Sequence, residues 1–157
     1  MGIWNNDDGL EVRFGLDRTT EQPSGRTAAE EKVLVWHLAD ATELGDTDTA
    51  AVAGDEAFIP AGAVIKDAYF VVDTAFTSGG AAVLDLGLKQ AAGTNIDDDG
   101  IDAAIALTAI DADDDVIACD GALVGTRLAN NSYVMATYDT AAFTAGAGKL
   151  VIKYIEV

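Results

Sequence analysis

The chain has 157 residues, half of them hydrophobic, and a formal net charge of −18 from 27 acidic and 9 basic residues. This length suits one domain with a real core. The charge argues against direct binding of nucleic acid or of an anionic membrane, because both surfaces require clustered Lys and Arg.

Residues 1–31 differ in composition from the rest of the chain. Spaced apolar residues among Asn, Asp and Gly are followed by the polar run DRTTEQPSGRTAAEE, which cannot bury enough apolar surface to fold alone. We therefore divide the chain into an N-terminal arm, residues 1–31, and a β-sandwich domain, residues 32–157. A first strand followed by a long loop of the same domain fits the composition equally well. The candidate partner-binding residues of the arm are Ile3, Trp4, Leu10, Arg13 and Phe14.

The segment KVLVWHL, residues 32–38, opens the strand-like part of the chain. Its alternating pattern places Leu34, Trp36 and Leu38 on one face of a strand and predicts a half-buried His37 on the other.

The longest strand signal runs from Phe58 to Leu88. Pro60 and Gly62 predict a turn, and residues 63–74 are rich in β-branched and aromatic side chains. Gly79 and Gly80 then predict a hairpin turn into a second strand, residues 81–89. One face of the first strand is expected to carry Val64, Ala68, Phe70 and Val72, and the other Ile65, Tyr69 and Val71. The second strand is expected to have a dry face with Leu84, Leu86 and Leu88 and a wet face with Asp85, Gly87 and Lys89.

The segment NIDDDGIDAAIALTA, residues 95–109, fits two structures. Its acidic start could cap a short helix, and Ile101, Ala104 and Ile105 would share a helical face. A strand with an alanine-rich face fits equally well, because short apolar runs do not distinguish the two.

Three further strands are predicted at residues 116–119, 133–138 and 150–157, the last introduced by a glycine turn at residues 145–148. Short strands separated by Gly, Asn and Asp clusters, without alternating helices, indicate an all-β fold. We expect an antiparallel β-sandwich whose irregular loop lengths favour a jelly roll.

The acidic clusters raise the question of a metal site. Asn95, Asp97, Asp99 and Gly100 match the first half of a calcium-binding loop, but Ala106 stands where a bidentate Glu is needed. Solvated turns explain these clusters better, so Asn95, Asp97 and Asp99 remain weak calcium candidates and no metal is expected.

Residues suited to catalysis are few. His37 and Cys119 are the only histidine and the only cysteine, and the chain contains no GxSxG, HExxH, CxxC or glycine-rich phosphate loop. We therefore expect neither an enzyme nor a cofactor.

The stretch IPAGAVIKDAYFVVDTAFTSGGAAVLDLGL, residues 59–88, resembles small structural proteins of tailed bacteriophages, including those of cyanobacterial hosts. The resemblance extends to WNNDDGLEVRFG, residues 4–15, and to GIDAAIALTAIDADDDVIACDGALVG, residues 100–125. It implies a capsid decoration (cement) protein: a jelly-roll-like β-sandwich that assembles as homotrimers and contacts the major capsid protein. It also implies a location on the outer capsid surface of the virion, after synthesis in the host cytoplasm. The resemblance brings no catalytic residues with it.

The charge agrees with this role, because packaged DNA would repel such an acidic protein from the inside of a head. Two other functions remain open. The first is a tail, neck or fibre-associated virion module that binds carbohydrate or a host receptor. The second is a calcium-dependent acidic binding module or a carboxylate hydrolase.

Overall fold

The computed structural model describes residues 2–5, 11–14, 31–45, 57–90 and 93–156, and for residues 2–5 and 11–14 it describes the backbone alone. The strands are β1 Gly2–Asn5, β2 Glu11–Phe14, β3 Glu31–Leu38, β4 Phe58–Ile59, β5 Ala63–Ser78, β6 Val83–Lys89, β7 Asn95–Ala106, β8 Val116–Ala118, β9 Ser132–Asp139 and β10 Phe143–Glu156. Short 3₁₀ turns lie at Ala41–Glu43 and Leu107–Ala109. Within these residues, no helix is long and apolar enough to cross a membrane.

Eight of the strands form two four-stranded antiparallel sheets. Their orders are β3-β10-β5-β8 and β4-β9-β6-β7. Successive strands alternate between the sheets except at β6 and β7, which are neighbours in one sheet. This order is that of a jelly roll, in which two Greek keys close into a sandwich. The predicted all-β sandwich is confirmed, and the strand order identifies it as a jelly roll.

One core lies between the two sheets. Phe70 of β5, Leu86 of β6, Val134 of β9 and Leu150 of β10 all belong to a single cluster of buried side chains. Phe76 makes edge contacts with Phe70 and Phe143, at ring-centroid distances of 5.9 and 5.3 Å. Since both sheets contribute to this core, neither sheet buries its apolar face without the other.

The predicted hairpin between residues 58 and 88 is wrong. β5 belongs to one sheet and β6 to the other, so the segment with Gly79 and Gly80 crosses between the layers of the sandwich. A glycine turn between two strands has the same local sequence in either case, and only the pairing partners distinguish a hairpin from a crossover.

The predicted faces of β5 are wrong at its start. Ile65 is fully buried and Val64 is half-buried on the opposite side, because a β-bulge lies between the pairs Lys153↔Asp67 and Tyr154↔Ile65. One extra residue reverses the alternation of all side chains before it.

The segment of residues 95–109 forms a strand and not a helix. β7 covers Asn95–Ala106, and only Leu107–Ala109 make a single 3₁₀ turn. Ala104 adopts φ 53°, and its N–H donates to Asp85 Oδ1 at 2.7 Å. Pairing with β6 therefore decides a conformation that the local sequence leaves open.

The glycines of residues 145–148 lie inside β10 and do not form the predicted turn. β10 starts at Phe143 and has register shifts against β5 up to Gly148. Gly146 has φ 144°, and a Cβ there would lie 2.5 Å from the ring of Phe76. The glycine thus lets an irregular strand pass over an aromatic core residue.

β1 and β2 pair with each other as an antiparallel hairpin, with Ile3 opposite Arg13 and Gly2 opposite Phe14. They form a two-stranded sheet separate from the two larger ones. The first sandwich strand begins at Glu31, beside the predicted boundary between arm and sandwich, and the division itself remains a prediction.

Candidate assembly interface

The outward surface of the sheet β3-β10-β5-β8 carries two rows of side chains that cross all four strands. In the first row Val151 of β10 lies between Val35 of β3 and Tyr69 of β5, with Ala118 of β8 beyond. The second row contains His37, Lys149, Val71 and Val116 in the same strand order. We call the outward side chains of these four strands the neutral face, because their positive and negative charges cancel.

Apolar groups on this face are exposed to solvent. Val33, Val35 and Val116 have relative exposures of 58%, 42% and 62%, and only Phe58 joins them as a large exposed apolar side chain among the described residues. Val71 and Val151 are half-buried between their neighbours. Clustered exposed apolar side chains of this kind mark surfaces that bind another molecule.

The charges of this face cancel. Lys66 binds Glu31 at 2.9 Å and Lys149 binds Asp73 at 2.8 Å. Lys153 lies over the Tyr69 ring, 5.4 Å from its centroid. The outward charged side chains are thus Lys66, Lys149 and Lys153 against Glu31, Asp67 and Asp73. A face without net charge stands out in a chain whose net charge is −18.

The Tyr69 hydroxyl donates a hydrogen bond to the carboxylate of Asp67. This hydrogen bond, together with desolvation and the nearby negative charge, raises the pKa of Tyr69 above its ordinary value of 10.0. Asp67 is thereby held next to the ring that Lys153 covers, and the three side chains form one fixed group.

β3 is an edge strand of its sheet and pairs with β10 along its whole length. An edge strand presents backbone donors and acceptors on its outer side, and soluble proteins usually protect such edges with charge or proline. Here Val33 and Val35 lie in the middle of the edge, with 58% and 42% exposure. The edge and the neutral face therefore form one continuous surface suited to protein contact.

The other sheet has a different character. Asp85 and Asp102 are only 7% and 8% exposed, and Lys89 is 4% exposed, so the predicted wet face of β6 is wrong. β7 lies directly over β6 at this point, since a Cβ on Gly87 would be 2.2 Å from the carbonyl oxygen of Asp97. A glycine in a strand can mark such a close backbone approach, and here it lets the outward side of β6 be covered.

Burial raises the pKa of Asp85, and Asp98, Asp99 and Asp139 add to this rise through charge repulsion. Burial also raises the pKa of Asp102 and, with a hydrogen bond and charge from Asp99, that of Asp97. In this part of the molecule carboxylates face other carboxylates, so their ionisation costs free energy.

One carboxylate oxygen from each of Asp97, Asp98 and Asp99 lies within 4.8 Å of the others, so the three groups supply part of the oxygen ligands of a hard cation. Two of the weak calcium candidates, Asp97 and Asp99, are thus brought together. Asn95 is exposed at the start of β7, opposite Lys89. The segment that matches a calcium loop is itself part of a strand.

The sole histidine and the sole cysteine lie at opposite edges of one sheet and do not form a nucleophile and base pair. His37, expected to be half-buried, is exposed on edge strand β3. Cys119 is buried just after β8, at the other edge. Burial, together with the charge and hydrogen bond of Asp102, raises the pKa of the Cys119 thiol to about 12. A thiol with such a pKa is a poor nucleophile at neutral pH.

The predicted partner-binding residues of the arm are placed only in part. Ile3 and Trp4 lie in β1, and Arg13 and Phe14 in β2, while Leu10 lies outside the described residues. Their role in binding remains a prediction. The neutral face is assembled from four strands, and the alternation in KVLVWHL already placed Val33 and Val35 together on one side of β3.

Comparison of sequences identified no matching family model and no matching curated protein. Comparison of structures identified chains from three phage capsids. A chain of the cyanophage Pam1 capsid asymmetric unit aligns with a TM-score of 0.56 and 16% identity, covering 89% of this chain and 99% of that chain.

The other two matches are of similar quality. A chain of the capsid of Ralstonia phage GP4 aligns with a TM-score of 0.56 and 16% identity, over 88% of this chain and 92% of its own length. A chain of the acid-stable capsid of the Helicobacter pylori bacteriophage KHP30 aligns with a TM-score of 0.56 and 12% identity, covering 80% of this chain and 86% of that chain. At these identities the similarity establishes a shared fold, and it confirms the expected likeness to phage capsid-related proteins at that level.

Proposed function

We propose that this chain is a virion structural protein that decorates the outer surface of a phage head as a homotrimer and stabilises the capsid lattice. The observation that carries the proposal is the extent of the structural match. The jelly roll aligns with 99% of one cyanophage capsid chain and with 92% of a Ralstonia phage capsid chain. The likeness thus covers almost the whole of those chains.

The charge supports a position outside the capsid. A chain with a net charge of −18 would be repelled by packaged DNA inside the head, whereas on the outer surface the same charge aids solubility. A decoration protein acts by holding its neighbours together, and the histidine and cysteine of this chain, at opposite edges of one sheet, do not form a catalytic pair.

We assign contact with the major capsid protein to the N-terminal arm, through Ile3, Trp4, Leu10, Arg13 and Phe14. An arm with two large aromatic residues offers the kind of anchor that dominates protein interfaces. Ile3, Leu10 and Arg13 would surround these two aromatic anchors. This contact is separate from the face between copies considered below.

Attachment to purified expanded heads tests the proposal. The full-length protein is expected to cosediment with heads, and electron microscopy should place its density on the outer capsid faces. Trp4→Ala and Phe14→Ala should each weaken attachment about tenfold or more, as interface hot spots do. Thr108→Ala, at an exposed position of the sandwich, is the matched control and should bind like the wild type.

Density on the tail or neck, or binding to a glycan with empty capsid faces, would reject the decoration role and favour the tail, neck or fibre function. Equal attachment of the wild type, Trp4→Ala and Phe14→Ala would reject the assignment to the arm while leaving decoration intact.

A further inference from the structure

We propose that the neutral face is the surface through which one copy of this chain contacts a second copy. The proposal rests on the self-assembly of the proposed function and identifies one of the surfaces that would form it. In a three-fold trimer this face contacts a different patch of the next copy. No contact with the major capsid protein is needed for it, so it can be tested on the purified protein alone.

Charge identifies the second copy as the occupant. Two chains that each carry a net charge of −18 repel each other, and contact between their acidic surfaces would bring carboxylates together. The neutral face holds three of the five lysines of the chain, at Lys66, Lys149 and Lys153. Its charges already cancel within one copy, so contact of this face with another copy does not bring two net negative charges together.

The arrangement of the charges leaves an apolar centre for the contact. The Lys66 and Glu31 pair lies towards one end of the face and the Lys149 and Asp73 pair towards the other. Val35 lies opposite Val151 in the strand pairing between them. Apolar surface removed from water there provides the favourable free energy, while lysines bound to their own carboxylates present no uncompensated charge to the other copy.

The size of the face sets the expected strength. Three strands about 4.8 Å apart, with about eight paired residues of 3.3 Å rise, and the three residues of β8 at the edge give roughly 430 Å² per copy. This is about half of the ~800 Å² per partner of a standard interface. We therefore expect association that depends on protein concentration, unless a second patch on each copy adds to the contact.

Sedimentation of the purified full-length protein over a range of concentrations tests the proposal. Val35→Asp and Val35→Lys should both weaken association about tenfold or more, because each buries a charge without a partner. Equal effects of the two signs would identify an apolar contact, whereas an ionic contact would respond in opposite directions. Val35→Thr keeps the β-branched shape and should have a smaller effect.

Ala103→Asp is the matched control, since Ala103 is an exposed strand position on the other sheet. It adds the same charge as Val35→Asp and should leave association within about twofold. Melting temperatures of all variants check that the fold is kept. Association of the wild type should become tighter from low to high salt, because salt screens the repulsion between copies.

Each result has one interpretation. Unchanged association of Val35→Asp and Val35→Lys would overturn the proposal while leaving the homotrimer intact. Loss of association in Trp4→Ala alone would show that the arm joins the copies instead. A wild type that stays monomeric at all concentrations would overturn both the face and self-assembly in solution, and attachment to heads would then decide the decoration role separately.

Discussion

On the outward surface of the sheet β3-β10-β5-β8, Glu31 and Asp73 each bind a lysine, whereas in the sheet β4-β9-β6-β7 Asp85 and Asp102 are buried near other acidic residues. The first sheet therefore presents a neutral surface that is ready for contact. The second covers its carboxylates within the chain and bears the cost of their ionisation. A strongly acidic sequence thus does not produce a uniformly acidic surface, because strand register decides which carboxylates find a cation.

The largest expected effect tests whether the two sheets unfold together although their surfaces differ. Leu86→Ala in β6 and Leu150→Ala in β10 each remove a fully buried side chain from the common core. Each should lower the free energy of unfolding by about 2–5 kcal/mol. Urea denaturation should show one cooperative transition in both variants. Two separate transitions would mean that the sheets unfold independently.

The next effect concerns the close approach of β7 over β6. Gly87→Ala places a Cβ 2.2 Å from the carbonyl oxygen of Asp97, so the backbone must move, and we expect a loss of about 3 kcal/mol. Gly79→Ala is the matched control, because nothing lies within 4 Å of its Cβ, and stability should change by less than about 1 kcal/mol. A Gly87→Ala variant as stable as the control would show that β7 can move away from β6.

The buried carboxyl of Asp85 gives a prediction for pH. Its folded-state pKa is raised, so its contribution to stability is full below the unfolded pKa and is lost as the pH rises through the folded pKa. Asp85→Asn keeps an oxygen that can accept the hydrogen bond from the Ala104 N–H and removes the charge. The free energy of unfolding of the variant should exceed that of the wild type by roughly 1 kcal/mol at neutral pH. This corresponds to a melting temperature ~2–4 °C higher.

Denaturation at several pH values checks this prediction. The advantage of Asp85→Asn should disappear as the pH falls below the ordinary aspartate pKa of 3.8, because the wild-type carboxyl is then protonated in both states. An advantage that stays constant with pH would assign the effect to packing. A less stable variant at neutral pH would mean that the ionised carboxylate has stabilising partners.

The smallest effect concerns the ion pairs of the neutral face. Lys149→Met breaks the pair with Asp73, whose side chains are 36% and 41% exposed. Exposed ion pairs contribute little, so stability should change by less than about 1 kcal/mol. Association should nevertheless weaken, since the face then carries a net negative charge. A large loss of stability with unchanged association would show that the pair serves the fold and not the contact.

Much of the fold could be predicted from alternation and turn residues. The strand predicted at residues 32–38 from its period-2 pattern is observed at Glu31–Leu38, and the long strand from Ala63 was predicted from its β-branched and aromatic residues. The errors at Ile65 and at the glycines near Gly146, and the choice left open at residues 95–109, share one cause. Bulges and close approaches depend on the neighbouring strand, which no local pattern contains.

The sequence by itself determined an all-β fold, an acidic protein and a scarcity of residues for catalysis. Strand period, charge and composition follow from the sequence without any knowledge of which strands pair. Only the tertiary structure decided that β5 and β6 belong to different sheets and that β7 covers β6. It also decided that Val35, Val151 and Tyr69 meet in one row beside compensated charges. These features arise from pairing between residues that are far apart in the chain, and pairing is a property of the folded sheets.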